Sequence, residues 1–398
     1  MRVTTTSAPD ATWELIDRLA NENTAFIRNG DGIIGFGSAV RISARGANRI
    51  SELADKWREL VQTSEVDDSV RIPGSGLVAF GSIAFSGNSS AESVLVVPKV
   101  VLGKRDGRRW ITIVDDATVP ESQEALRPAP VDLHPGAQSR DGFEASVARA
   151  VREIEAGRVQ KVVLARDLVG WVEPNFDLRP TLSKLAAKYP SCWVYNVDGM
   201  FGASPELLVR VSHGQVSARV LAGTATRGTE PSIDQAISAA LAASGKNLSE
   251  HQFAVDSLVQ ALEPFCDHVD ADSAPFSLAL PNVWHLASDV HGVLNANSSV
   301  LDLAEALHPT AAVAGTPRFE ALELIEEIEP FDRGRYAGPV GWIGADGDGE
   351  WAIALRGAQL TETEIRAYAG CGIVAESEPA AELAETDLKF MPITEALA

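Results

Sequence analysis

The chain has 398 residues, 45% of them hydrophobic and 22% charged, the make-up of a soluble globular protein with room for one large domain or two ordinary ones. A net charge of −21 argues against a nucleic-acid binder, whose footprint is basic, and against adhesion to anionic membranes. It leaves open a small anionic ligand, which responds to local charge rather than to the total. Three scattered cysteines (Cys192, Cys266, Cys371) without a CxxC pair argue against a disulfide framework or a zinc site. No apolar leader opens the chain and no apolar run approaches about 18 residues, so a cytoplasmic protein is expected.

Residues 1 to 135 read as mixed structure, with strands in "DGIIGFGSAVRIS" and "GLVAFGSIAFS" and a helix in "RISELADKWREL". The polar, proline-rich "DDATVPESQEALRPAPVDLHPGAQSR" reads as a long surface connection. From residue 141 the periodicity sharpens. Phe143, Val147, Ala150, Val151 and Ile154 fall at helical spacing, with Gly157 as a stop. "KVVLARDLVGWV" is a strand, and "ELLVRVSHGQVSARVL" a hairpin turning at His213–Gly214. One long amphipathic helix is predicted over 232–263. Strands follow in "NVWHLASDVHGVL", "AGPVGWIGAD", "WAIALRGAQLT" and "EIRAYAGCGIV", and a helix closes the chain. Hairpin-linked strands outnumber strict strand–helix alternation, so the fold class is α+β with large, mostly antiparallel sheets.

Several residues have the chemistry of a site, each with an ordinary alternative. Lys161 opens an apolar strand, where desolvation lowers an amine's pKa and makes it a general base; a strand-end lysine reaching water is the plainer reading. Glu206 lies between a Ser-Pro turn and an apolar strand, where a dry pocket would keep a carboxyl protonated as a general acid; an edge glutamate in water is the alternative. Glu250 is either the partner of Lys246 at i,i+4 or a hard oxygen ligand for a divalent cation. "LAGTATRG" and "AGCGIV" are small-residue loops through which backbone N–H groups can approach an anion, or simply tight turns. In "AELAETDLKF", Glu382, Glu385 and Lys389 share one helical face, solvated or aimed at a cation and an anionic substrate. His285 is a core histidine or a catalytic one. GxGxxG, Walker A, HExxH and GxSxG are all absent.

The order of these segments is more specific than any one of them. "VQKVVLAR", "GASPELL", "VLAGTATRG", "KNLSEHQ", "VWHLAS", "LHPTAAVAGTP", "EPFDRGRYAGPVGW", "ALRGAQ", "AGCGIV" and "ELAETDLK" together resemble the chorismate-utilising enzymes, closely over 141–398 and, through "FGSIAF", weakly toward the N-terminus. The resemblance implies a single chorismate-utilising domain over 1–398, a two-halved α/β sandwich enclosing the site. It implies magnesium held by Glu250 and Glu385, with Glu382 close by, and Lys389 neutralising the dianionic substrate. Tyr336 and Arg356 match the positions that hold the enolpyruvyl carboxylate. The backbone of Gly370, Cys371 and Gly372 would face the ring carboxylate, the loop Ala222, Gly223, Thr224 would line the cavity, and His285 is a family site residue.

Within the family, aminating branches typically carry "PIKGT" or "PIAGT" where this chain has "VLAGT", and glutamine where it has Lys161. The tryptophan-sensing "LLES" stretch is also missing. A lysine over ring carbon C2 would instead activate water, with Glu206 protonating the departing C4 hydroxyl, as in isochorismate synthases. Salicylate synthases, which go on to eliminate pyruvate, tend to have threonine at the place of Ala312, though Tyr336 is found in that branch. Asn247 departs from the acidic residue common at its position. A non-catalytic chorismate binder is the alternative from another class, but it would need no acid–base pair. The resemblance further implies no glutamine amidotransferase subunit, a monomer or weak dimer, and a product serving menaquinone or siderophore synthesis.

Overall fold

The computed structural model describes residues 1–20, 23–122, 130–228, 230–279 and 283–398, except the side chains of Thr224, Thr226, Lys246, Glu250 and Val283. Its contacts divide it into two units, one of residues 1–206, 308–345 and 352–398 and one of residues 207–307 and 346–351. No described helix is long and apolar enough to cross a membrane.

The first unit is built on a thirteen-stranded sheet. From one edge its order is His134–Pro135, Lys161–Trp171, Glu364–Ile373, Gly357–Leu360, Met200–Ser204, Trp193–Val197, Asn23–Arg28, Asp31–Phe36, Val100–Arg105, Arg108–Val114, Arg2–Ser7 and Glu65–Asp68, with Gly315–Thr316 pairing alongside Lys161. Every pairing is antiparallel except that of Arg2–Ser7 with Glu65–Asp68. Four further strands pair in the order Pro339–Gly344, Val78–Ser82, Ser93–Val97, Val40–Ala44.

Strand alternation gives the large sheet two chemically different faces. Ile365, Ala367, Ala369, Ala358, Phe201, Ala203 and Val194 lie on one, and they are buried in a core with Leu182 and Leu185 of the helix Arg179–Lys188 and with Phe390, Ile393 and Leu397 of the helix Pro379–Leu397. The alternate residues, Tyr368, Gly370, Gly372, Gly357, Gly202 and Tyr195, belong to the other face, and the register adds Lys161 to them.

The second unit pairs Cys266–Ala271, Val283–Leu294, Gln215–Thr226, Leu207–Ser212 and the strand beginning at Gly349, with Phe276–Ala279 also on Val283–Leu294. The expected hairpin turn is present, His213 and Gly214 both having positive φ. The single helix expected over 232–263 is corrected to two, Pro231–Ala243 and Gly245–Leu262. Ser244 breaks it: its backbone is extended and its hydroxyl accepts the Asn247 N–H, so the residue ends one helix and caps the next. "WAIALRGAQLT" is likewise two strands, Gly349–Ile353 and Gly357–Leu360, parted at Arg356, whose φ is 49°. The expected long surface connection is only partly so. Its residues 123–129 lie outside the described residues, while Val131 and Gln138 are buried and His134–Pro135 pairs with the Lys161 strand. The observed class is the expected one, mixed α/β with large, mostly antiparallel sheets.

Candidate active site

Lys161 begins the strand Lys161–Trp171, and Val163, on its face, sits opposite Gly372. The glycine is what lets the lysine lie flat: a Cβ there would fall 2.7 Å from Lys161 Cε and 3.3 Å from Nζ. Gly370 is two residues along, and its carbonyl accepts a hydrogen bond from Lys389 Nζ at 2.8 Å. "AGCGIV" is therefore neither a loop nor a tight turn but the end of a strand, Glu364–Ile373, where Gly372 leaves room for the Lys161 side chain and the Gly370 carbonyl holds Lys389. Cys371 alternates with the glycines; its thiol is buried toward the Glu382 carbonyl, and burial pushes its pKa up.

Burial acts on Lys161 and Glu206 in opposite directions. Desolvation holds the Lys161 ammonium below the ordinary lysine pKa, against the pull of Glu206 and Glu385 and with help from Lys389. Desolvation raises the Glu206 carboxyl, against Lys161, Arg356 and Lys389. Each group feels the other's charge, and Arg356 in turn feels Tyr336, Glu385 and Glu206. Six residues from five stretches of the first unit thus share one electrostatic neighbourhood. Glu206 is placed by its backbone, its N–H donating to Ser204 Oγ at 3.2 Å and its carbonyl accepting Ile353 N–H at 3.0 Å. Tyr336 is buried and stacked on Tyr368, ring centroids 5.0 Å apart and planes 13° off parallel, and burial lifts its phenol to about 12.

The closing helix is oriented from its inner side. Arg166, on the core face of its strand, donates to Thr386 Oγ1 at 2.8 Å and to Asp387, which also receives both nitrogens of Arg140 at 2.9 and 2.8 Å. With Thr386 buried and Asp387 clamped between the two arginines, Glu382, Glu385 and Lys389 are carried along the adjoining edge. Lys389 Nζ meets Glu385 Oε1 at 2.5 Å, and the Glu385 side chain is half exposed. Glu382 accepts the Ser377 hydroxyl at 2.7 Å on Oε1, while its Oε2 is buried without a hydrogen-bond partner. Among the described residues no three His, Cys, Asp or Glu side chains form a ready metal cluster. A buried acceptor oxygen without a donor, one helical turn from a second carboxylate, is nonetheless what a hard divalent cation fits.

Ala312 lies exposed in the turn that begins at Thr310. That loop is fastened to the Lys161 strand by a buried ion pair. Arg333 donates to Glu329 at 2.6 and 2.8 Å, to the Val163 carbonyl at 2.7 Å and to the Val313 carbonyl at 2.9 Å, while Glu329 Oε1 accepts the Ala165 N–H at 2.7 Å.

In the second unit Gly223, at φ 80°, sits at the register shift between Ala222 and Thr224, where a Cβ would come 3.3 Å from Asn247 Cβ. His251 Nδ1–H donates to the Ala222 carbonyl at 3.0 Å and its Nε2 pairs with Ser288 Oγ at 2.9 Å, tying the helix Gly245–Leu262 to both neighbouring strands. His285 is half-buried and pairs in register with Thr224 and Leu278. The side chains of Thr224, Glu250 and Lys246 lie outside the described residues, so neither reading of Glu250 is tested. Sequence reading passed over Tyr368, Tyr195 and the Arg333–Glu329 pair. Only the i,i+4 spacing of Glu329 and Arg333 offered a signal, and it is the common signature of a surface pair.

Residues 5–398 match the family model described as chorismate binding enzyme. The isochorismate synthase DhbC of Bacillus subtilis is 34% identical over 371 residues, covering 89% of this chain and 88% of its own. A salicylate biosynthesis isochorismate synthase of Pseudomonas aeruginosa is 40% identical over 268 residues, 66% of this chain and 56% of that protein. The structure of MenF, the menaquinone-specific isochorismate synthase of Escherichia coli, superposes with a TM-score of 0.79 at 24% identity over 100% of this chain and 94% of that one, a likeness of fold. This chain belongs to the chorismate-binding enzyme family.

Proposed function

We propose that this protein is an isochorismate synthase, a magnesium-dependent isomerase that moves the hydroxyl of chorismate from C4 to C2. The observation that carries the proposal is the opposite perturbation of Lys161 and Glu206 within one neighbourhood: an amine pushed toward its neutral form and a carboxyl pushed toward its protonated form. Neutral Lys161 takes a proton from water as its oxygen bonds to C2. The ring double bonds shift, the C4–O bond breaks, and Glu206 gives its proton to the departing hydroxyl, which leaves as water. One water enters and one leaves, so substrate and product are isomers; proton return to Glu206 and from Lys161 resets the pair. Arg356 and Tyr336 hold the enolpyruvyl carboxylate, and the strand end Gly370–Gly372 with Lys389 receives the ring carboxylate.

Glu385 and Glu382, with Glu250 as the third carboxylate of the family pattern, would hold magnesium, which supplies positive charge against the ring carboxylate. Ala222, Gly223, Thr224 and His285 complete the family's set of site residues. Water as nucleophile removes the need for a glutamine amidotransferase partner, and we place the activity in the cytoplasm. Incubation with chorismate and Mg²⁺ followed by chromatography tests the reading. Isochorismate as the product supports it; salicylate with pyruvate would assign the chain to the pyruvate-eliminating branch, and unchanged chorismate would make it a binder.

A further inference from the structure

Two glycines stand opposite each other on the site-bearing face of the large sheet, and a third residue fills the space they leave. The register row runs Tyr195, Gly202, Gly357, Tyr368. A Cβ on Gly357 would lie 2.1 Å from the Tyr195 hydroxyl oxygen, and one on Gly202 would lie 2.6 Å from it, so the phenol crosses both. Tyr195 is fully buried, and its O–H donates to the Leu355 carbonyl at 3.0 Å. Burial raises the phenol pKa further, so the hydroxyl stays a donor at any working pH.

Leu355 immediately precedes Arg356, whose left-handed backbone, φ 49°, is unfavourable for a side-chain-bearing residue and persists only where its surroundings hold it. The carbonyl on the other side, that of Arg356 itself, accepts the Ala203 N–H at 3.2 Å. The same short segment also reaches Glu206, but through different bonds: Ser204 Oγ donates to the Ile353 carbonyl at 2.5 Å, and Ile353 N–H donates to the Glu206 carbonyl. The acid end is held by Ser204 and the arginine end by Tyr195.

We infer that Tyr195 is a positioning residue for Arg356: its hydrogen bond to Leu355 fixes the left-handed turn that aims the guanidinium at the substrate's side-chain carboxylate. Tyr195 touches neither the substrate nor the reacting atoms, and the inference rests on the isochorismate synthase reading. Tyr195→Phe keeps the ring over the glycines and removes only the donor. With chorismate and saturating Mg²⁺, KM is expected to rise about tenfold with kcat within about twofold. The Lys161 titration should stay where it is, because Arg356 is not among the charges that act on it, while the Glu206 titration should rise as the guanidinium moves away. In an Arg356→Lys background the same change should leave KM unmoved, since the group it positions is already gone. An unchanged KM in Tyr195→Phe, with or without a lower melting temperature, would overturn the inference, as would an equal KM rise on both backgrounds. Failure of the function reading is separate, because it is seen in the parent protein, which would then leave chorismate unchanged.

Discussion

Lys161 and Glu206 are ordinary residue types made unusual by where the strands end. An amine can accept a proton only when neutral, and a carboxyl can give one only when protonated. Desolvation moves each group that way, and the charge each offers the other opposes it without reversing it. In kcat/KM the active form has Lys161 neutral and Glu206 protonated, so the profile should be a bell set by this pair, with Lys161 below the usual lysine range and Glu206 above the usual carboxyl range. Lys161→Ala and Glu206→Gln should each abolish one of the two limbs and each lower kcat by about 10²–10⁴-fold. A loss under about tenfold in either would contradict its role. Gly372→Ala tests the placement of the amine. The added methyl would meet the Lys161 side chain at 2.7 Å, and an amine moved by about an ångström should cost about 10²-fold in kcat with the melting temperature little changed. Lys161 and Glu206 were legible as residue types beside apolar strands. What the sequence could not convey is that Gly372 lies under Lys161, which depends on strand register.

At the scale of elements, the buried Arg333–Glu329 pair fastens the strand of Lys161 to the loop of Ala312 through the backbone at Val163, Ala165 and Val313. Each charge has its partner and each spare donor a carbonyl, so removing one side leaves the other buried and unpaired. Glu329→Gln should lower unfolding free energy by about 3–5 kcal/mol in urea titrations. A change under about 1 kcal/mol would mean that the pair behaves like a surface one. The strand and helix periods were readable where one face is apolar, as in the helix Arg140–Glu155 and the strand Lys161–Trp171. They failed where a single residue breaks a continuous pattern. Ser244 divides what reads as one amphipathic helix because its hydroxyl caps the second half, and Arg356 interrupts one strand by a left-handed turn that an arginine does not advertise.

For the whole molecule, ten short segments in a fixed order made the family legible, while "SVLVV" among residues 1–135, short and buried on both faces, offered no alternation to read. An acidic chain of net charge −21 binding a dianion needs its cations gathered locally, and Arg356 and Lys389 do that within the first unit, beside a Lys161 that burial pushes toward its neutral form. Metal dependence is the property that reaches beyond these side chains. EDTA should abolish turnover, and Glu385→Gln should raise the Mg²⁺ concentration for half-maximal activity about tenfold or more. Activity indifferent to chelation would refute the metal assignment.

The chemistry assigned to Lys161 and Glu206 requires the oxygen that arrives at C2 to come from solvent and the oxygen at C4 to leave. Turnover of chorismate in ¹⁸O-labelled water, read by mass spectrometry of the isochorismate, measures this directly. The expected product carries one ¹⁸O, at the C2 hydroxyl. Isochorismate formed without label would mean that the hydroxyl migrates within the substrate, and that Lys161 is not the base, nor Glu206 the acid, of an exchange with water.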